Sequence, residues 1–214
     1  MKKIWRLAPV LILIALASIA THVEVGETQI LPNNITATAP SGVIVACPQG
    51  DGDTFAEGGC VIEVIAIHRN GTPFVGIPAS DIWIIGCTDQ FTFCGIAQNA
   101  IDADAPTDAQ GRTTISGTPA IGNWGNGVAV VVQGELATDG ASGIPDDICI
   151  ETVVVRNPDF NGDLEVDSQD FTFFGDHWPP LGGTYHEAAD FNNDGVINSA
   201  DFTEFGNHYL HSCQ

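Results

Sequence analysis

Two stretches near the C-terminus carry oxygen donors at a spacing that suits a metal ion. The more regular one reads "DFNNDGVINSADF" and begins at Asp190. A calcium loop of EF-hand type needs oxygen donors at positions 1, 3, 5, 7, 9 and 12, with glycine at position 6 for a sharp turn. Gly195 occupies position 6. The predicted ligands are Asp190, Asn192, Asp194, the backbone carbonyl of Val196, Asn198 through water, and Asp201.

The other stretch, "DFNGDLEVDSQDF", has the same register from Asp159 onwards. Its predicted ligands are Asp159, Asn161, Asp163, Glu165, Asp167 and Asp170. Position 6 is Leu164 rather than glycine, and a leucine with positive φ is strained. We therefore expect this first site to be weaker or distorted, although it carries more charge.

The donor chemistry of both loops points to calcium. Carboxylate and carbonyl oxygens are hard ligands that suit Ca²⁺, and the loops contain no thiolate or imidazole to favour zinc. Mg²⁺ gives up its water ligands reluctantly and is the weaker alternative. The expectation is two Ca²⁺ sites, of which the second is better formed.

The two loops belong to an internal repeat. Asp159–Trp178 aligns with Asp190–Tyr209 at an offset of 31 residues, with 11 of 20 positions identical. Each loop is followed by a predicted helix, with Ser168 and Ser199 as expected N-caps. One face of each helix is aromatic: Phe171, Phe174 and Trp178 in the first, and Phe202, Phe205 and Tyr209 in the second. The matching Gly175 and Gly206 are expected to let the two helices approach closely.

This pair of loop–helix repeats resembles the dockerin family. The resemblance implies pseudo-twofold symmetry, calcium binding and attachment to cohesin domains on scaffolds or cell surfaces. Aspartate at position 12 fits the family pattern. Recognition residues of the family occupy loop positions 10 and 11, which are Ser168-Gln169 and Ser199-Ala200 here. The Ser-Thr pair that is familiar at these positions is absent.

The preceding region has the pattern of β-structure. β-Branched runs alternate with Gly, Pro, Asn and Asp clusters, and Asn70-Gly71 is a strong signal for a tight turn. An antiparallel sandwich is expected, because a parallel α/β sheet would require helical patterns that are missing. The predicted strands are Cys60–His68, Asp81–Cys87, Arg112–Gly117, Gly127–Leu136 and Cys149–Arg156.

Part of this region is similar to the bacterial immunoglobulin-like domains of invasin-type surface adhesins. The stretch "VIAIHRNGTPFVGIPASDIWI", followed by "TDAQGRTTISG", has the cadence of those domains. The turns at Gly71 and Gly111 carry the likeness. It implies an immunoglobulin-like β-sandwich, to which the cysteines around Phe93 are additions.

The N-terminus has the features of an export signal. Lys2, Lys3 and Arg6 precede the apolar run "APVLILIALA", and small residues precede Thr21 as at a cleavage site. A retained membrane anchor is the alternative, but the run is shorter than the ~20 residues of a spanning helix. The expected organisation is a signal peptide at 1–20, a β-sandwich domain at 21–156 and a dockerin-like domain at 157–214.

The charge of the exported chain restricts its partners. After cleavage, three arginines remain against 27 acidic residues, which gives a net charge of −24. Such a chain has almost nothing to neutralise phosphates, so nucleic acid is excluded as a partner. An anionic membrane surface should also repel it. A secreted, extracellular or cell-surface location is expected.

The six cysteines of an exported chain predict disulfide bonds. Six cysteines allow 15 pairings, and proximity along the chain favours Cys47–Cys60 and Cys87–Cys94, which leaves Cys149–Cys213. Metal–thiolate sites are disfavoured because the sequence contains no CxxC pair.

The sequence contains no recognisable catalytic motif. It lacks GxSxG, P-loop and GxGxxG patterns, and "HEAAD" at His186 lacks the second histidine of HExxH. His208 and His211 are expected to be exposed bystanders. We therefore expect a non-catalytic calcium-binding protein that acts in extracellular adhesion or assembly, with a cohesin-like domain or copies of itself as partner. The alternative is a self-assembling subunit of a filament or surface layer that calcium stabilises.

Overall fold

The structure is a computed structural model, and it describes residues 34–87, 90–95, 101–138 and 148–213. The expected signal peptide, residues 1–20, lies outside the described residues. In these ranges no helix is long and apolar enough to cross a membrane.

The N-terminal part of the chain is rich in strands. Alternation explains them: in the strand Ile62–Ala66, Ile62, Val64 and Ala66 are buried while Glu63 is exposed. All five predicted strand segments contain strands. The strands of the described residues are β1 (Ile35–Thr38), β2 (Gly42–Val45), β3 (Ile62–Ala66), β4 (Ile82–Gly86), β5 (Thr92–Phe93), β6 (Arg112–Ile115), β7 (Ile121–Gly122), β8 (Gly125–Val132), β9 (Glu135–Leu136) and β10 (Ile150–Arg156).

These strands form two main sheets and one small one. The first sheet has the order β1-β3-β6 and the second β2-β10-β8-β4, with β9 pairing β8, while β5 pairs β7 separately. The pairings are antiparallel apart from β2 with β10, which is parallel. The expectation of a wholly antiparallel sandwich is wrong at that edge, because β2 is not joined to β10 by a hairpin and the two strands run in the same direction.

The two main sheets share one apolar core. Ile35, Val64 and Ile115 of the first sheet belong to the same buried cluster as Ile84 and Val130 of the second. Burial of such β-branched side chains is the main stabilising term for this part of the chain.

The C-terminal module, residues 157–213, is helical. Its helices are α1 (Ser168–His177) and α2 (Ser199–His208), joined by short 3-10 turns at Pro179–Leu181 and Glu187–Ala189. The N-caps are Asp167 and Asn198, so the expected caps Ser168 and Ser199 are wrong by one residue. The residue at loop position 9 caps each helix because it belongs to a capping box with Asp170 or Asp201.

The disulfide pairing differs from the expected one. Bonds join Cys87 to Cys149 and Cys94 to Cys213, with Cα atoms 5.6 and 5.4 Å apart. Cys47 and Cys60 are buried free thiols. The expected pairs Cys47–Cys60, Cys87–Cys94 and Cys149–Cys213 are all wrong, because proximity along the chain does not reflect the order of strands in the sheet.

Sheet order explains the Cys87–Cys149 bond. Gly86 at the end of β4 and Ile150 at the start of β10 both pair with Val128 of β8, from opposite sides. The bond therefore crosses over β8, and it does so at Gly127. A Cβ on Gly127 would lie only 2.9 Å from Cys87 Sγ.

The C-terminal module packs directly on the second sheet. A second apolar cluster includes Val45 of β2 together with Phe160, Phe174 and Phe205 of the module, and Trp124 packs against it. Arg156, the last residue of β10, is buried between the two parts. Its guanidinium donates to Asn126 Oδ1 (3.1 Å) and to Asn193 Oδ1 of the second loop (3.0 Å).

Candidate functional site

Two buried carboxylates organise the first loop. Asp159 accepts hydrogen bonds from the backbone N–H groups of Gly162 (2.7 Å) and Leu164 (2.9 Å). Asp170 accepts from the N–H groups of Phe160 (2.8 Å) and Asp167 (2.9 Å), so it joins the start of the loop to the start of α1.

The second loop repeats this network 31 residues later. Asp190 accepts from the N–H groups of Asp194 (3.0 Å) and Gly195 (2.8 Å). Asp201 accepts from those of Phe191 and Asn198, both at 2.8 Å. The Tyr185 hydroxyl also donates to Asp190, at 2.9 Å. In the described part of the chain, Asp159 accepts hydrogen bonds from backbone N–H groups only.

The remaining predicted ligands lie at the solvent side. Asn161 donates to Asp163 Oδ2 and Asn192 to Asp194 Oδ2, each at 3.0 Å. The backbone N–H groups at position 7 donate to the same aspartates, that of Glu165 to Asp163 Oδ1 (3.1 Å) and that of Val196 to Asp194 Oδ1 (2.9 Å). The Val196 carbonyl accepts from Asn198 Nδ2 at 3.3 Å.

The backbone at position 6 turns as the spacing predicts. Gly195 has a φ of +87°, and Leu164 at the equivalent place has a φ of +69°. The first loop therefore adopts the same left-handed turn as the second. Leu164 is strained there because a side chain disfavours positive φ.

The buried carboxylates fit a cation. Burial raises the pKa of Asp159 to about 6, against the lowering effect of the Leu164 and Gly162 N–H groups. Burial also raises the pKa of Asp170 and of Asp201. Among the described residues no ion pair reaches Asp159 or Asp170. A bound Ca²⁺ would supply the positive charge that these carboxylates lack.

The carboxylates converge more closely in the first loop than in the second. One oxygen each of Asp159, Asp163 and Asp170 lies within 4.8 Å of the others, whereas among the described residues Asp190, Asp194 and Asp201 form no such group. The sequence pattern favours the second loop as the better formed site, and the glycine turn still supports that ranking. Spacing alone could not foresee the tighter carboxylate cluster of the first loop.

The helices expose two grooves that the repeat relates to each other. Phe174 and Phe205 are buried, with ring centroids 5.4 Å apart. Phe171 and Phe202 are about half exposed, and each packs on the buried phenylalanine of the opposite helix at 6.0 Å. The first groove is lined by Phe171, Phe174, Gly175, Trp178, Leu181 and Phe202, and the second by Phe171, Phe202, Phe205, Gly206 and Tyr209.

Comparison with known protein families assigns this part of the chain. Residues 157–209 match the family model of the dockerin type I domain. The match spans both loops and both helices, about a quarter of the chain, and supports the dockerin resemblance. Dockerin type I domains bind calcium, bind cohesin domains and are non-catalytic modules. A comparison with curated proteins found no match to the chain.

The two helix glycines of the dockerin domain do not have the expected role. A Cβ at Gly175 or Gly206 would meet no heavy atom within 4 Å. The expectation that they let α1 and α2 approach closely is therefore wrong. Gly175 instead lines the first groove and Gly206 the second. The absence of a side chain at these two positions keeps the grooves open.

The first turns of the helices are accessible. Ser168 and Gln169 begin α1, Ser199 and Ala200 begin α2, and all four residues are exposed. They correspond to the recognition positions that the dockerin resemblance implies, and they stay candidates for partner contact.

Support for the first loop comes from residues that the repeat does not contain. Gly122 of β7 lies so close to the Asp159 carboxylate that a Cβ there would overlap it. The Asn123 N–H donates to the Asp159 carbonyl at 2.9 Å. The tail pairs with the loop as well, since Cys213 N donates to Leu164 O at 3.0 Å. Little in the sequence indicates these contacts beyond the glycines around Gly122 and the presence of Cys213.

Proposed function

We propose that the chain is a secreted or cell-surface calcium-binding protein whose dockerin domain attaches it to a cohesin-like domain of another protein. The observation that carries the proposal is the repeated loop–helix unit, in which two acidic loops flank one exposed aromatic surface. The family match of residues 157–209 supports both the calcium and the protein partner.

The aromatic surface suits a protein partner. Phe171 and Phe202 are 48% and 46% exposed, and Tyr209 is 39% exposed. These rings border grooves of about 250 and 290 Å³, each of which can hold a single side chain of a partner. Aromatic residues often contribute most of the binding energy of a protein interface. Because the two repeats are related by a pseudo-twofold axis, a partner could dock in two similar orientations that differ by a rotation of 180°.

The calcium ions would act structurally in this arrangement. Ten residues are proposed to hold them: Asp159, Asn161, Asp163, Glu165, Asp170, Asp190, Asn192, Asp194, Val196 and Asp201, with Glu165 and Val196 acting through backbone carbonyls. Because Asp170 and Asp201 lie in the first turns of α1 and α2, ion binding fixes the start of each helix. Calcium thereby sets the aromatic surface that the partner meets.

We propose that the strand-rich region is the part of the protein that the dockerin domain attaches to its partner. We propose that residues 21–156 form an immunoglobulin-like domain. Their sequence contains no recognisable catalytic motif, and we propose that the whole protein is not an enzyme. Export through the 1–20 signal fits the two disulfide bonds.

Filament formation through strand edges has less support. Each outer strand of the two main sheets already exchanges a backbone hydrogen bond with a flanking segment. These bonds are Ala37 N to Thr138 O, Asp53 N to Val45 O, Ala103 N to Ile82 O, and Asp104 N to Thr114 O, at 2.7–2.9 Å. Covered edges are poor templates for pairing with another copy.

Calorimetric titration of the mature chain against a panel of cohesin domains, with calcium and with chelator, tests the proposal. Binding should require calcium, and Phe171→Ala with Phe202→Ala should weaken it by at least about tenfold. Val75→Ala is the matched control, because Val75 is 58% exposed and lies in the strand-rich part. Equal binding in chelator, or binding by no cohesin domain, would contradict the proposal.

A further inference from the structure

A second group of metal-ligand side chains lies outside the predicted calcium ligands. It consists of Cys47, Asp51, His208 and His211, and one ligand atom of each lies within 4.8 Å of those of the other three. Cys47 and Asp51 come from the loop after β2, whereas His208 ends α2 and His211 follows it. The group therefore joins the strand-rich part to the end of the dockerin domain.

Three separations within the group are close to those between the ligand atoms of a tetrahedral metal site. His211 Nδ1 lies 3.6 Å from Cys47 Sγ and 3.2 Å from Asp51 Oδ2, and His208 Nδ1 lies 3.7 Å from Asp51 Oδ1. Tetrahedral zinc bonds of about 2.0–2.3 Å place neighbouring ligand atoms about 3.3–3.7 Å apart. The three separations are close to that spacing, and the two that involve Asp51 end on different oxygens of its carboxylate. A small turn of the Asp51 side chain would present one oxygen to the ion.

One ligand atom of the group makes no hydrogen bond in the described part of the chain. His208 is buried, and its Nδ1 makes no hydrogen bond there. Its other ring nitrogen, Nε2, lies 3.2 Å from Glu204 Oε1. If Nε2 carries the proton for that carboxylate, Nδ1 presents a lone pair to the group. A carboxylate behind a histidine is the usual support of a histidine that binds metal.

The backbone holds the other donors in place. Gly50 N donates to Cys47 O at 2.9 Å, which closes the turn between Cys47 and Asp51. Val166 N donates to His211 O at 2.8 Å. Two residues later the chain is fixed by the Cys94–Cys213 disulfide. A site built on such anchored segments needs little ordering when it binds an ion.

We propose that Cys47, Asp51, His208 and His211 form a Zn²⁺ site that ties the C-terminal end of the chain to the strand-rich part. One thiolate, two imidazoles and one carboxylate are a donor set for zinc, whereas Ca²⁺ takes oxygen ligands. The site thus differs in chemistry from the two acidic loops. The proposal also gives a role to Cys47, which is a free thiol rather than half of the expected Cys47–Cys60 bond. It likewise gives a role to His208 and His211, for which the sequence suggested none.

The expectation that His208 is exposed is wrong. It is 6% exposed, because it ends α2 against the loop after β2. His211 is partly exposed, as is Asp51. These two more accessible ligands lie on the side from which an ion can enter from solvent, while Cys47 and His208 form the closed side.

Zinc binding releases the thiol proton of Cys47 to solvent. In the metal-free protein, burial is the main cause that raises the pKa of the Cys47 thiol to about 12. The sulfur therefore carries a proton until Zn²⁺ displaces it and forms the S–Zn bond.

Titration with Co²⁺ tests the site in the full mature chain, with both disulfides intact and calcium in excess. Co²⁺ reports its ligands by absorption: a thiolate gives a charge-transfer band, and tetrahedral geometry gives intense visible bands. One equivalent of Co²⁺ should produce both, and Zn²⁺ should abolish them by displacement. Cys47→Ala should remove the charge-transfer band, while Cys60→Ala, which lacks the other free buried thiol, should retain it.

Milder variants guard against loss of folding. His211→Gln and Asp51→Asn change partly exposed ligands and should weaken Zn²⁺ binding while the calcium response persists. Glu204→Gln removes the group that positions His208, and it should lower Zn²⁺ affinity by about 10- to 100-fold.

Two results would overturn the proposal. One is a Co²⁺ spectrum without a thiolate band in the folded wild-type chain. The other is a band that survives Cys47→Ala. Either would leave the group as a polar cluster in which Asp51 lies within ion-pair distance of the two histidines.

Discussion

At the scale of single residues, the two copies of the repeat carry different side chains at loop position 6. Leu164 and Gly195 share a left-handed backbone, with φ of +69° and +87°. Glycine accepts this conformation freely, whereas leucine is strained in it by about 1–3 kcal/mol. The sequence alone could predict the strain at Leu164, because position 6 of a calcium loop must adopt a sharp turn that glycine normally provides.

Replacing Leu164 by glycine should therefore improve the first calcium site. If the ion-free loop can relax out of this turn, Leu164 is strained only when calcium is bound. Relief of about 1 kcal/mol of that strain then corresponds to a roughly fivefold gain in affinity. Calcium titration by calorimetry, with the second site disabled by Asp190→Ala, measures the first site alone. Gly195→Leu, assayed with Asp159→Ala, is the reciprocal control and should weaken the second site. A loss of affinity in Leu164→Gly would show that packing of the leucine outweighs its strain.

The helix glycines give a second prediction at this scale. Gly206→Leu should not lower thermal stability, because a Cβ there meets nothing within 4 Å. Glycine in a helix interior also costs about 0.8–1 kcal/mol relative to alanine, and leucine is nearly as favourable as alanine. The new side chain should instead fill the second groove and weaken partner binding. Thermal unfolding and calorimetry on the same variant separate the two effects. A drop in the unfolding temperature would restore the view that the glycine serves helix packing.

At the scale of elements, the strand β7 supports the first loop although it lies outside the repeat. Gly122 touches the Asp159 carboxylate, and Asn123 donates to the Asp159 carbonyl. Periodicity and spacing predicted the loops, the helices and five strand segments. Those segments contain six of the ten described strands, and β1, β2, β5 and β7 were not predicted. Contacts between β7 and the loop could not be predicted, because they depend on how two distant segments are placed by the core.

Gly122→Ala should disturb the first calcium site without changing a ligand. The added Cβ would overlap the Asp159 carboxylate, which must then turn away from the ion. Calorimetry should show weaker binding at the first loop and unchanged binding at the second. Gly117→Ala is a suitable control, since its Cβ would make only an ordinary contact of 3.7 Å with Ile101. Equal calcium binding in the two variants would contradict the supporting role of β7.

At the scale of the whole molecule, an apolar cluster and a disulfide bond are among the links between the dockerin domain and the strand-rich part. The cluster is the one with Val45 and Trp124, to which the buried Arg156 adds a hydrogen bond. The disulfide is the Cys94–Cys213 bond, which closes 119 residues of chain. Cysteine number predicted disulfides, but the pairing required the three-dimensional arrangement, because the partners are brought together only when the sheets and the repeat have packed.

The Cys94–Cys213 bond should therefore matter to calcium binding and not only to stability. Cys213 and Leu210 pair with the first loop through hydrogen bonds to Leu164 O (3.0 Å) and Val166 O (2.8 Å). Without the bond the tail is free to detach, so Cys94→Ala with Cys213→Ala should lower stability by about 2–4 kcal/mol and weaken the first calcium site.

The Cys87–Cys149 bond is the matched control for this effect, because it lies within the strand-rich part and crosses β8. Its double alanine variant should lose comparable stability in denaturant unfolding while calcium affinity stays unchanged at both loops. If both double variants change calcium affinity equally, the two parts of the chain respond as one cooperative unit and the tail has no separate role. If neither does, loop geometry is set within the repeat itself.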